Sequence, residues 1–206
     1  MGEDLVVVVH SGQLPGVEEL SVVSPPRAGL LTRLCGVLAC HGITIMSAQV
    51  QPQEDGRIAR VFQVADYFGA TVPAERWESV RVDLARALEG RLALDYRLAE
   101  RAARYSPRGA GPRHEPPRVV LENAASDSLT IIEVHTVDRI GLLYTIAQAL
   151  DDLLLDVRLA KVSTLKEKAV DVFYVTDARG RKLVERDHLQ EVERAVLFAL
   201  DRDERS

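Results

Sequence analysis

The sequence repeats itself at one fixed interval. Positions 112 apart, as Gly29 and Gly141 are, pair Arg27 with Arg139, Gly29-Leu30-Leu31 with Gly141-Leu142-Leu143, Leu34 with Ile146 and Leu38 with Leu150. The same interval pairs Ile43 with Leu155, Ile45 with Val157, Ala48 with Ala160 and Val50 with Val162. After a slip of one residue, Val61-Phe62-Gln63-Val64-Ala65-Asp66 matches Val172-Phe173-Tyr174-Val175-Thr176-Asp177. Chance likeness between two helices would not run on through the strands that follow, so one supersecondary unit has been duplicated. Each copy has about 90 residues in which to bury a modest core.

The order of elements in a copy follows from local patterning. Leu5 to His10 is a β-branched strand, Ser11 to Gly16 is rich in turn formers, and Glu19 to Ser24 is a returning strand ended by Pro25-Pro26. Leu30, Leu31, Leu34, Val37 and Leu38 recur at helical spacing, and Gly42 closes that helix. Ile43 to Gln51 and Arg57 to Ala65 form a hairpin around Glu54-Asp55-Gly56. Trp77, Val80, Leu84 and Leu88 mark a second amphipathic helix, stopped by Gly90.

A connector then intervenes. Leu94, Leu98, Ala102 and Tyr105 are spaced as on a helix rather than a strand, and Ser106 to Pro117, with four prolines and two glycines, reads as an irregular linker. The pattern then restarts: strands at Arg118 to Leu121 and Leu129 to Thr136, a helix opened by the Gly141 turn, and a hairpin of Asp156 to Thr164 with Ala169 to Asp177. A last helix follows on Leu189, Val192, Val196 and Leu200, with Asp187 and Gln190 expected as its cap.

Strand, strand, helix, strand, strand, helix, taken twice, predicts an α+β protein of two ferredoxin-like units. Each is a four-stranded antiparallel sheet with two helices on one face. No strand follows the second helix of a copy. The leading strand is therefore expected to take the edge that a terminal strand ordinarily holds. The expected units are residues 1–90 and 118–206, joined by 91–117.

Composition narrows the function. The chain has 206 residues, 47% hydrophobic and 28% charged, with a formal charge of -5. That balance argues against nucleic acid or an acidic membrane as partner. The arginines at 97, 101, 104, 108, 113 and 118 read as a solvated connector, with no aromatic stacking platform beside them. Phe62 and Phe173 sit in apolar runs and read as core rather than as an RNA-stacking surface. Two cysteines, Cys35 and Cys40, lie within one apolar helix; they read as buried thiols, not as metal ligands with His41, and point to a reduced, cytoplasmic setting. Leu5 to Val9 is too short to span a membrane and lacks the features of a signal peptide, and Val6 stands where a myristoylation motif needs Ser or Thr. No nucleophile elbow is present, and no cofactor motif.

The best candidate site is the strand-to-helix turn Val137-Asp138-Arg139-Ile140-Gly141-Leu142-Leu143. A glycine there admits close approach to the backbone, and the first N–H groups of the helix suit a carboxylate. A plain tight turn is the competing reading. Asp138 stands either as a helix cap or as a partner for an ammonium group.

These residues resemble a known family. The Arg-x-Gly-Leu-Leu turn after a strand, in a four-strand, two-helix unit, is similar to the ACT domain, a small regulatory module that binds amino acids. Thr130 to Val134, Asp138 to Tyr144, Ala160 to Leu165 and Asp171 to Asp177 resemble the second ACT repeat of the PII uridylyltransferase/uridylyl-removing enzymes, and Leu5 to Asp66 resembles the first. The resemblance implies a glutamine-sensing regulatory region that acts on attached catalytic domains or a PII-type protein. The nucleotidyltransferase and hydrolase motifs of that family are absent from this sequence, so no catalytic residue is expected. It also implies a ligand held between two such domains by Asp138, Arg139, Ile140, Gly141, Leu142 and Leu143, with a polar residue early in the next strand, Asp156. A second, weaker site would use Arg27, Ala28, Gly29, Leu30 and Thr44. The family's usual proline before the turn glycine is Ile140 in one copy and Ala28 in the other, and its Asp is Pro26 in the first copy. The alternative is a free-standing tandem module that dimerises and serves another enzyme or regulator.

Overall fold

The computed structural model describes residues 5–12, 14–69, 71–105, 115–165 and 168–204. Gln13 of the first turn, most of the expected linker and the first four residues lie outside that range. The elements run β1 (Val6–Ser11), β2 (Val17–Ser24), α1 (Leu30–Cys40), β3 (Ile43–Pro52), β4 (Ile58–Asp66), α2 (Ala74–Leu88) and α3 (Leu94–Tyr105). The second copy follows as β5 (Arg118–Glu122), β6 (Thr130–Val137), α4 (Leu142–Asp152), β7 (Asp156–Leu165), β8 (Lys168–Thr176) and α5 (Arg186–Glu204).

All eight strands form one antiparallel sheet in the order β1-β2-β4-β3-β7-β8-β6-β5. Within each copy the strand before the first helix pairs with the last strand, and the leading strand lies outside it. The permuted edge expected from the sequence is therefore present, in two ferredoxin-like halves.

The halves meet where β3 and β7 pair, with Ser47 opposite Lys161, Ala48 opposite Ala160 and Gln49 opposite Leu159. Ala48 and Ala160 are counterparts in the repeat, and the residues flanking them are exchanged. A pseudo-twofold axis passes between the two alanines. Small side chains suit this seam, because the same positions must also lie beneath the helices on the buried face. Both strands carry a bulge at equivalent places, between Ile45 and Ser47 and between Val157 and Leu159. Each bulge adds a local bend just before the seam.

The inward parity of the strands makes the core. Leu20 and Val22 of β2, Phe62 and Val64 of β4, Ile132 and Val134 of β6, and Phe173 and Val175 of β8 are all buried beneath the helices. Phe62 and Phe173 thus pack in the interior, as their sequence context indicates. Across the axis α1 packs directly on α4. A Cβ on Gly36 would lie 2.8 Å from Tyr144 Cδ2 and 2.9 Å from Leu94 Cδ1, so only glycine lets these helices approach. Helix α3 lies over α1, burying Leu94 and Leu98, and the Tyr144 hydroxyl donates to Asp95 Oδ1 at 2.9 Å.

Two expectations need correcting. Asp187 stands inside the first turn of α5, which begins at Arg186, rather than capping it. Cys40 is half-buried, not buried like Cys35.

The helix ends expose a difference between the copies. After α1 the chain turns through Gly42 at φ 70°, in the left-handed region. Its counterpart after α4 is Leu154, at φ 56° and 70% exposed. A leucine there carries a steric penalty of about 1–2 kcal/mol that glycine avoids. Leu154→Gly should therefore raise the urea midpoint by about 1 kcal/mol of stability. Gly42→Ala should lower it, since its Cβ would meet the Arg101 guanidinium in addition to the strain.

Candidate functional site

β6 ends at Val137, and the chain crosses to α4 through Asp138, Arg139, Ile140 and Gly141. Gly141 sits at the helix start with φ 84°, a conformation that L side chains rarely adopt, and no side chain caps α4. Its counterpart Gly29 does the same for α1 with φ 68°. The repeated glycine thus has a backbone reason in both copies.

The two turns differ in what faces them. The Gly29 N–H donates to Asp151 Oδ1 at 3.2 Å, so the first turn already holds a carboxylate from the last turn of α4. The residue equivalent to Asp151 is Ala39, which offers no such group. In place of a carboxylate, the second turn opens onto a cavity of about 130 Å³, with Ala39 and Cys35 on its wall. On the same measure one water needs about 10–15 Å³, so the space suits a small molecule.

The cavity is built from both halves. Asp138, Arg139, Ile140, Gly141, Leu142 and Leu143 line one side, and Thr44 and neighbouring residues of early β3 line the other. Asp156, expected beside this turn, does not line the cavity; its carboxylate pairs with Arg158 at 3.0 Å. The reason is the twofold arrangement. With β3 and β7 antiparallel at the seam, each turn faces the early strand of the other half. Thr44, assigned with Arg27, Ala28, Gly29 and Leu30, therefore joins the second turn.

The arginines of the repeated motif have another task. Arg139 Nη2 donates to the Leu200 carbonyl at 3.4 Å, and Arg27 Nη2 to the Leu88 carbonyl at 3.3 Å. Leu88 and Leu200 are themselves 112 residues apart; Leu88 ends α2, and Leu200 lies one turn before the end of α5. Each guanidinium therefore tethers its turn to a helix C-terminus, where positive charge is favoured.

The third wall comes from α3. The Leu98 side chain lies 3.5 Å from where a Cβ on Gly141 would stand. Arg101 and Tyr105 line the cavity, with the guanidinium 4.8 Å from the tyrosine ring centroid and Arg101 Nη1 donating to the Cys40 carbonyl at 3.3 Å. Read from sequence, these residues were part of a solvated connector. Nothing local in their spacing says that α3 would fold back over the turn.

Two carboxylates complete the site. Asp138 does not cap α4; its Oδ2 accepts a hydrogen bond from Thr164 Oγ1 at 3.3 Å, and desolvation raises its pKa. Asp171, on β8, lines the cavity at 1% exposure. Burial, together with the nearby Asp138 charge, pushes Asp171 up to about 7, against a backbone hydrogen bond from Ser163. Its Oδ1 has no hydrogen-bond partner. With the one-residue slip, the counterpart of Asp171 is Arg60, also buried, whose Nη1 likewise lacks a partner and whose pKa is lowered by burial. The Asp156 carboxylate acts on Arg60, opposing the effect of burial, so Asp156 belongs to the region of the first copy. Asp171 was legible in principle: it occupies the inward parity of Ala169, Phe173 and Val175.

Among the described residues no group of three or more His, Cys, Asp or Glu is placed to hold a metal ion, and no helix is long and apolar enough to cross a membrane.

Residues 125–200 match the family described as the ACR family N-terminal ACT domain. A bifunctional uridylyltransferase/uridylyl-removing enzyme from Azospirillum brasilense is 36% identical over 89% of this chain, and one from Streptomyces coelicolor is 42% identical over 80%. The chain spans only 20% of the length of each. Among solved structures, an aspartate kinase from Synechocystis aligns with 91% of this chain and 27% of its own, at 18% identity and a TM-score of 0.46.

The raised pKa of Asp171 has a consequence for stability. The folded chain holds that proton more tightly than the unfolded chain, so the contribution is full below the ordinary value of 3.8 and is lost as pH rises to about 7. Asp171→Asn should remove this slope. Urea midpoints measured from about pH 5 to about pH 8 should fall more steeply for the wild type, by on the order of 2 kcal/mol.

Proposed function

We propose that this chain, a tandem ACT-domain region resembling the uridylyltransferase/uridylyl-removing enzymes, senses a free amino acid, L-glutamine, in the cavity at the second turn. The observation that carries this reading is the opposed chemistry of one small cavity. Asp138 and Asp171 bring carboxyl groups to its lining, and Arg101 with the uncapped start of α4 brings positive charge and N–H donors to the same lining. An amino acid has that polarity. Its carboxylate is matched by the guanidinium and the helix N–H groups, and its ammonium by the carboxylates. The threonines Thr44 and Thr164, which also line the cavity, can hydrogen-bond a side-chain amide.

Sensing needs a difference in affinity between two arrangements. The cavity walls come from β3 and α3 as well as from the β6–α4 turn, so a bound ligand bridges both halves and favours the arrangement in which they are closed together. The output passes to catalytic domains of the kind that the relatives' names denote, or to a protein on which those domains act. The chain itself is the regulatory region and not the enzyme. The first turn is read as structural, because Asp151 already sits where a ligand carboxylate would.

Calorimetric titration with L-glutamine, with glutamate and other amino acids as controls, tests this. The expected result is one ligand per chain. Gly141→Val should abolish binding, since a β-branched residue at φ 84° distorts the turn even though its Cβ has room against Leu98. Arg101→Ala, whose side chain lies outside the core, should weaken binding by about tenfold, as expected for one charge-assisted hydrogen bond. Absence of heat with every amino acid would defeat the reading.

A further inference from the structure

The cavity contains a carboxylate oxygen with nothing bonded to it. Asp171 is buried, lines the cavity, and leaves Oδ1 unpartnered. Unsatisfied buried carboxylate oxygens are costly, and in a cavity this size the natural partner is a small cation or a donor brought by a ligand. Its surroundings decide which. From the β6–α4 turn comes the second carboxylate, Asp138; from β7 the Ser163 backbone N–H; and from α1 the thiol of Cys35, held neutral because burial pushes it up to about 12. Arg139 and Arg101 share the cavity, but their guanidiniums donate to the carbonyls of Leu200 and Cys40. Tyr144 of α4 also lines it, and its hydroxyl donates to Asp95. No cation acts on Asp171 strongly enough to hold it ionised.

Resting on the amino-acid reading above, we propose that Asp171 is the ammonium-binding floor of the cavity, holding a proton more readily when the site is empty and ionised when it is filled. With no ligand, two carboxylates close together in a poorly solvated space keep one proton between them. An arriving ammonium group supplies a positive charge and N–H donors for the open Oδ1. The Asp171 O–H bond breaks, its proton leaves to bulk buffer, and the ammonium keeps all of its own protons. The raised pKa of about 7 agrees with this state of the empty site. Binding is thereby tied to proton release, and ligands without an α-ammonium are refused.

The test is titration of the wild-type chain with L-glutamine near pH 7 in buffers of different ionisation enthalpy. The buffer dependence of the heat should report net release of a fraction of a proton per ligand, since a group with a pKa of about 7 is partly protonated there. The release should vanish above about pH 9. Asp171→Asn should abolish it and weaken binding by more than tenfold. Glutaramate, which lacks the α-ammonium, should bind the wild type at least tenfold more weakly and release nothing. Glutamine binding with no buffer dependence would overturn the proposal while leaving the amino-acid reading intact, and that result needs no folded variant. Equal affinity of the variant and the wild type would overturn it too. No binding by any amino acid would defeat both.

Discussion

Everything in this fold depends on the antiparallel contact between β3 and β7. Centred on Ala48 and Ala160, it closes the inner edge of each half, makes one sheet of two, and fixes the twofold relation between the copies. A strand edge left open is a template for unwanted pairing, and the seam disposes of two such edges at once. It also dictates which residues meet. Because the axis runs through the seam, the helix-opening turn of each half is carried over the early strand of the other. The cavity is therefore a property of the pair. Neither half holds both of its walls.

Upon this symmetry the sequence has placed a few unlike residues, and they account for the difference between the two turns. Asp151 fills the first turn, where Ala39 leaves the second clear. Arg60 and Asp171 put a guanidinium and a carboxyl group at equivalent buried positions. Helix α3, which follows the first copy, brings Arg101 and Tyr105 to the second turn. None of these changes disturbs the backbone plan. Charge and access have diverged while the hydrophobic parity of the strands stayed fixed.

Much of this could be read from the chain, and the parts that could not share a cause. Periodicity and turn chemistry are local, so the duplication, the element order, the permuted edge strand and the helical form of Leu94 to Tyr105 were all legible. The turn glycines were legible too, for a left-handed start to a helix demands them. What failed was the grouping across halves. Asp156 was set beside the second turn and Thr44 beside the first, because sequence proximity cannot reveal an exchange imposed by a strand pairing. Family resemblance places Arg27 and Arg139 among the residues of the ligand-holding turns, yet their guanidiniums reach elsewhere. Their partners, Leu88 and Leu200, lie some sixty residues away and repeat at the same interval, a regularity visible only once the targets are known. Asp171 gave a signal of parity that went unused.

The Asp151 contact has a bearing on how such a protein comes to exist. A single unit that paired with its own copy would present two identical clefts, and any substitution would enter both together. Joining the copies in one polypeptide breaks that bond. One cleft becomes free to accumulate changes that would ruin a binding site, and a carboxylate that blocks it can serve as a permanent internal brace. Fusion therefore gives the lineage something that a self-paired unit lacks: two clefts, each walled by both halves, that are free to diverge from one another.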